Sequence, residues 1–178
     1  MKALYSLFWS ICRMSRGPEE LPRSFVLLLV VLLLDASMGV GLQLSDKPDA
    51  LDVALGMTAL AVLMDALVLG GLSLFKNAQD RYVQSLSAIY GTDFLVSLFS
   101  LPLAVAGIYL AKAPWLPVIV FAQMLLVGWS LGIRAFIYHR SLRVGVLLAN
   151  MLSLTLFLLT VFIAVKLFPE LVPAAAAN

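Results

Sequence analysis

The sequence predicts an all-α polytopic membrane protein with five transmembrane helices, preceded by an amphipathic helix at the membrane interface. Three observations carry that reading. First, of 178 residues 62% are hydrophobic and 12% charged, against about 45–50% and about 25% in soluble domains, and the mean hydropathy is +1.03. That composition argues against a soluble globule, a disordered chain and a nucleic-acid binder. Second, the apolar residues form five uninterrupted runs, each longer than the roughly 18 residues that separate a membrane span from a buried core helix. Strands of a β-barrel would be about half as long and would alternate. Third, Lys and Arg are distributed unequally between the two ends of those runs.

Residues 1–24 form a segment assigned to the cytoplasmic interface. Leu4, Phe8, Ile11 and Met14 recur at helical spacing, while Lys2, Ser6, Ser10, Arg13 and Arg16 fall largely elsewhere, the pattern of a helix lying in the headgroup region. The aromatics Tyr5, Phe8 and Trp9 suit that depth. A signal peptide is a poor fit, because the apolar stretch from Ala3 to Cys12 is short and no small-x-small cleavage site precedes Gly17 and Pro18. Gly17 and Pro18 are expected to end the helix.

The five-helix domain covers 25–168, with spans from Phe25 to Leu44, Leu51 to Phe75, Leu86 to Ala111, Trp115 to Tyr138 and Leu142 to Val165. Breakers separate them at Ser45 to Pro48, Lys76 to Arg81 and Lys112 to Pro114. The fourth break is marked only by charge, so a bent continuous helix is an alternative there. Pro102 is expected to kink the third span near Leu98. The remaining residues, 169–178, read as a flexible outward tail.

Five spans place Lys2, Arg13, Arg16, Arg23, Lys76, Arg81, Arg134, Arg140 and Arg143 on one side and Lys47, Lys112 and Lys166 on the other. Positively charged loops stay in the cytoplasm. The expectation is therefore a cytoplasmic N-terminus, an outward C-terminus and a bacterial inner membrane.

Acidic residues inside the spans are the most informative feature, since an aspartate at the bilayer centre costs about 2.5–3.5 kcal/mol on insertion scales. Asp35 and Asp65 each lie about 15 Å from the cytoplasmic end of their spans, and Asp93, Gln123 and Asn150 are assigned to roughly 10–17 Å, so the five form one candidate polar layer. With no Lys or Arg read at that level, at least one of the paired carboxyls is expected to hold its proton at neutral pH. Two roles follow. The residues can serve as interhelical hydrogen-bond glue, each worth on average about 0.6 kcal/mol, or as a proton relay. Glue is the favoured role, because coupled transporters usually carry more machinery than one short bundle.

Arg134, His139, Arg140 and Arg143 read as a basic cytoplasmic cluster to which anionic lipid headgroups are attractive partners, although the positive-inside rule alone requires such a cluster and is the favoured account of it. Gly128 and Gly132 form a GxxxG pair, and Ser37 with Gly41 and Ala66 with Gly70 repeat the small-xxx-small spacing. Such pairs permit close helix packing, within the chain or in a homo-oligomer. Soluble-enzyme motifs are missing, a bis-histidine haem needs more than the single histidine, and YGTD at 90–93 departs from the GxGD form of intramembrane aspartyl proteases. The single cysteine, Cys12, cannot support a disulfide framework or a CxxC site. No metal, cofactor or enzymatic activity is expected.

The segment RYVQSLSAIYGTDFL at 81–95, running on to Leu101 and Pro102, resembles the stretch before and within the third span of the Yip family of five-span membrane proteins, in particular its bacterial members. The basic residue, the Gln and the Gly carry the likeness, with the five-span plan around them. The long cytoplasmic N-terminal domain of the eukaryotic relatives is absent, so their small-GTPase binding is not implied, and no functional residue transfers. The resemblance implies a non-enzymatic membrane-organising or accessory subunit acting through protein or lipid partners. A proton-coupled carrier or channel component using Asp35 and Asp65 is the alternative.

Overall fold

The computed structural model describes residues 2–46, 49–110 and 112–169; of the tail expected at 169–178, all but its first residue lies outside the described residues. The chain is all-helical, with α1 (Lys2–Cys12), α2 (Phe25–Asp46), α3 (Leu51–Phe75), α4 (Tyr82–Tyr109), α5 (Leu116–Leu142) and α6 (Val146–Leu167), and short 3-10 turns at Pro18–Glu20 and Gln79–Arg81. The helices α2 to α6 are each long and apolar enough to cross a membrane, at about 33–42 Å for a hydrocarbon core of about 30 Å. The end carrying Arg81, Arg140 and Arg143 is called the basic end below; the other is the far end.

Local chemistry sets the boundaries. Ser24 caps α2, its Oγ accepting the Leu27 N–H at 3.3 Å. Asn77, at φ 52°, closes α3 with the Ala78 N–H on Ser73 O at 2.8 Å, the left-handed closure in which Asn substitutes for Gly. The weak fourth break is a real one. Arg143 takes φ 51° and stops α5 after Leu142, and α6 restarts at Val146. A bent continuous helix is thereby excluded. Pro102 lies inside α4, which continues to Tyr109.

The five long helices close a ring in the order α2, α3, α6, α5, α4 and back to α2. Neighbours in this ring run antiparallel except α2 and α4, which run side by side in the same direction. Polar ties cross the ring. The hydroxyls of Tyr82 and Tyr90 donate to Ala66 O and Val62 O on α3 at 3.0 and 3.1 Å, and Ser153 donates to Leu131 O on α5 at 2.9 Å. Apolar side chains on the outside of the ring, such as Phe75, Leu147 and Phe162, are exposed, as a lipid-facing surface requires.

The N-terminal helix forms where the periodicity predicts it, but it ends at Met14 (φ 56°, with the Ser15 N–H on Ser10 O at 3.0 Å) rather than at Gly17. Its placement also differs from the expectation. Phe8, Ile11 and Cys12 are buried against protein, the Trp9 ring packs at a tilt against Phe99 and edge-to-face against Trp129 with centroids at 5.9 and 6.3 Å, and the Trp129 indole N–H donates to Cys12 O at 3.1 Å. Trp129 stands midway between the ends of α5. The helix therefore docks against the middle of the bundle rather than along its basic end, because its aromatic stripe finds a protein partner there. The absence of a side chain at Gly91 makes room for it, since a Cβ there would meet the Phe8 ring well inside contact distance.

Burial, with the negative charge of Asp93, pushes the Cys12 thiol up to about 12, so the reactive thiolate is scarce at neutral pH. The folded protein should resist maleimide at Cys12 and react on denaturation in SDS. Gly91→Leu, which ejects the Phe8 ring, should make Cys12 reactive without denaturant. Labelling at equal rates in both folded proteins would refute this docking.

The predicted GxxxG pair divides. A Cβ at Gly128 would meet nothing within 4 Å, whereas one at Gly132 would lie 3.0 Å from Met14 Cε. Of the pair, Gly132 is the one that makes a close approach among the described residues, and to the loop after α1 rather than to another long helix.

Candidate functional site

Asp35, Asp65 and Asp93 come together, as the depth arithmetic predicts, because each lies ten or eleven residues from the basic end of its helix. Arg134 joins them. Its Nη1 donates to Asp65 Oδ1 at 2.6 Å and its Nη2 to Asp93 Oδ2 at 2.5 Å, so one guanidinium ties α5 to α3 and α4. Side-chain exposures are 22% for Arg134, 5% for Asp65 and 14% for Asp93. At that burial the pairing outweighs a surface ion pair, since either partner alone would leave an uncompensated charge in a poor solvent for it. Asp35 faces the same space, yet it makes no hydrogen bond or ion pair with any described residue.

This corrects two expectations. Arg134 does not belong to the headgroup cluster, and the carboxylates do not lack a cation. The physical reason is the true length of α5. Hydropathy ends the fourth span at Tyr138, only four residues past Arg134, but the helix runs on to Leu142 and leaves Arg134 about 12 Å inside, within reach of the acids. A signal was present in the sequence: Arg134 falls inside the apolar run, on the same helical face as Ser130 and Tyr138.

Two members of the predicted layer stand elsewhere. Gln123 is half-buried and lies outside the cavity lining: counted from Tyr138 it already stands about 22 Å from the basic end, beyond the layer, and from the true end of α5 at Leu142 about 28 Å. Asn150 is exposed, and its amide donates to Val146 O at 2.9 Å; the buried face of α6 runs through Ala149, Ser153 and Leu156 instead.

The remaining basic residues hold the chain's own basic end together. Arg140 pairs with Glu19 at 2.5 Å, Arg81 donates to Arg140 O at 3.4 Å, and the His139 Nδ1–H meets Val144 O at 2.6 Å. Gln84 donates to Leu21 O at 2.5 Å and to Glu19 O at 3.2 Å, which fastens the 3-10 turn to α4. Arg143 is exposed.

The charged group forms the floor of a cavity of about 370 Å³ lined by residues from all five long helices. It extends in one direction only. Ser97 and Ser100 lie one and two turns beyond Asp93 toward the far end, and Ser130 and Leu126 lie likewise beyond Arg134. On the basic side the core is closed by Ile89, Thr92, Ile137 and Tyr138, all fully buried. The buried Tyr138 hydroxyl stands beside this group, in the field of Asp65, Arg134 and Asp93. It gives Arg134 a third polar neighbour beside its two acids.

No family model, curated protein or solved structure matches the chain.

Proposed function

We propose that this chain is a non-enzymatic integral membrane protein that works as a small proton-linked carrier, or as a component of a channel, through Asp35, Asp65, Asp93 and Arg134. One observation carries the reading: an unpaired carboxyl, Asp35, shares a cavity with an arginine already held by two other carboxylates. Interhelical glue would need neither an excess of acids nor a void beside them. A group that takes and releases a proton inside the bundle needs both, because the proton requires a basic site and a route to it. Small-molecule sites of carriers lie near the bilayer midplane, between helices.

Purified protein in proteoliposomes carrying an internal pH dye tests the reading. Proton-linked flux that disappears in Asp35→Asn supports it. A sealed membrane with no flux, combined with a specific partner captured from native membranes in mild detergent, would favour the accessory-subunit role implied by the Yip resemblance.

We further propose that the basic end faces the cytoplasm of a bacterium, on the excess of Lys and Arg in its connecting segments, Arg16, Arg23, Lys76, Arg81, Arg140 and Arg143 against Lys47, Lys112 and Lys166. In a Cys12→Ala background, single cysteines at the exposed positions Gln79 and Arg143 should be labelled only from the cytoplasm and one at Asp49 only from outside. The reverse pattern would invert the molecule.

A further inference from the structure

The cavity beside Asp35 has walls as well as a charged floor, and the two together define a ligand. Its volume of about 370 Å³ falls in the range of about 300–1,000 Å³ of small-molecule sites and is far above the roughly 30 Å³ share of a single water.

The sign of the ligand's charge follows from the pairing. Both Nη atoms of Arg134 already hold carboxylates, so an anion would have to displace an acid at about 2.5–2.6 Å to reach the guanidinium. Asp35 is unpaired, and three acids face one base. A cation completes this set where an anion disrupts it.

Its chemical type follows from the walls. Val96, Leu126, Leu131 and Phe157 are apolar, and among the described residues no three His, Cys, Asp or Glu side chains are grouped so as to hold a metal ion. A hard metal ion takes about six or more close oxygens, which these walls do not supply. An organic cation buries its carbon skeleton there, with the aromatic Phe157 among the lining residues as a ring that can attract positive charge. The hydroxyls point to N–H donors. Ser100 donates to Val96 O at 3.3 Å and Thr160 to Leu156 O at 2.9 Å, so their hydrogens are engaged on their own helices and their lone pairs remain as acceptors toward the cavity they line. The buried Tyr138 hydroxyl lies one helical turn past Arg134 on the closed side, beside the guanidinium. It can take up the guanidinium if a cation draws Asp65 or Asp93 away.

We propose that the cavity binds a small protonated amine with an apolar body, its ammonium group on Asp35 and its carbon skeleton between Leu126, Leu131 and Phe157. The inference deepens the carrier reading and rests on the same site. Asp35 would then hold either a proton or an ammonium group, which makes the two competitors for one carboxylate.

The test is binding of 2-phenylethylammonium to the full chain in detergent, measured by calorimetry, with 2-phenylethanol and 3-phenylpropanoate as shape-matched neutral and anionic probes. The amine should bind at least about tenfold more tightly than the alcohol, a difference of about 1.4 kcal/mol, and the anion should not bind. Asp35→Asn should abolish that preference, Asp35→Glu should retain part of it, and Ser130→Leu should block binding by filling the cavity without removing a charge. Helical circular dichroism and size-exclusion profiles establish that each variant is folded. Equal binding of amine and alcohol, or unchanged amine binding in folded Asp35→Asn, would overturn the proposal; tighter binding of the anion would too. The two readings separate in vesicles. Asp35-dependent proton flux without amine binding rejects the ligand class alone, whereas amine binding without flux retains the site and rejects the carrier.

Discussion

Arg134→Met should lower the stability of the folded bundle by about 3–5 kcal/mol, the cost of removing one partner from a buried ion pair. The substitution keeps most of the side-chain volume but leaves Asp65 and Asp93, at 5% and 14% side-chain exposure, facing each other without a cation. The companion variant makes the argument specific to charge. Asp65→Asn with Asp93→Asn in the Arg134→Met background removes every orphaned charge of the triad, and replacing a whole buried ionic group by neutral residues is often nearly neutral in stability. Titration with SDS, followed by helical circular dichroism, should show Arg134→Met unfolding first and the triple variant recovering most of the loss. A triple variant as unstable as the single one would mean that Arg134 acts through packing rather than through its charge.

Asp35→Asn should do the opposite, sparing the fold and removing the activity. Its carboxyl makes no hydrogen bond or ion pair with a described residue, so the amide forfeits no partner, and the change in stability should stay within about 0.5–1 kcal/mol. An amide cannot release and regain a proton in the working range of a carboxyl. Proton-linked flux in proteoliposomes should therefore fall to the protein-free background. Asp65→Asn and Asp93→Asn should show a mixed result, with partial loss of stability because each leaves Arg134 with a single acid. If folded Asp35→Asn carries protons at the normal rate, the working group is not Asp35 and the proposed function fails.

These contrasts exist because the ion triad and the unpaired carboxyl have different jobs in one cavity. The triad fixes the relative height of α3, α4 and α5, whose outward apolar surfaces slide against lipid with little preference for register. The small-residue motifs supply less of that register than their spacing suggests. A Cβ at Gly128 would meet no described atom within 4 Å, whereas Gly91 admits Phe8 of α1. The heights of the long helices are set by polar ties such as Tyr90 to Val62 O, Ser153 to Leu131 O and the Arg134 fork.

The sequence by itself determined the five spans, since an apolar run of that length has few folded alternatives once backbone groups must pair within the segment. It also determined that Asp35, Asp65 and Asp93 share a level, because helix rise is constant; Asp35 and Asp65 were counted from the true helix ends, and Asp93 from Leu86, four residues inside the start of α4 at Tyr82, a shift of about 6 Å that leaves it in the layer. Gln123 lies too deep for the layer even by the predicted span, and Arg134 and Asn150 were placed wrongly for two physical reasons. Hydropathy reports where apolar residues stop rather than where the helix stops, and α5 carries its polar last turn, with Ser141 buried against Ser85 at 2.6 Å, inside the bundle. Depth says nothing about which way a side chain faces, and Asn150 turns outward onto its own helix. Only the tertiary structure decided the rest: that α1 leaves the interface for the Trp129 and Phe99 rings, and that one arginine serves two aspartates. The unpaired Asp35 beside an open cavity belongs with them. Each depends on which faces of distant helices meet, and in an almost uniformly apolar chain the hydrophobic pattern that reports such faces in soluble proteins is nearly flat.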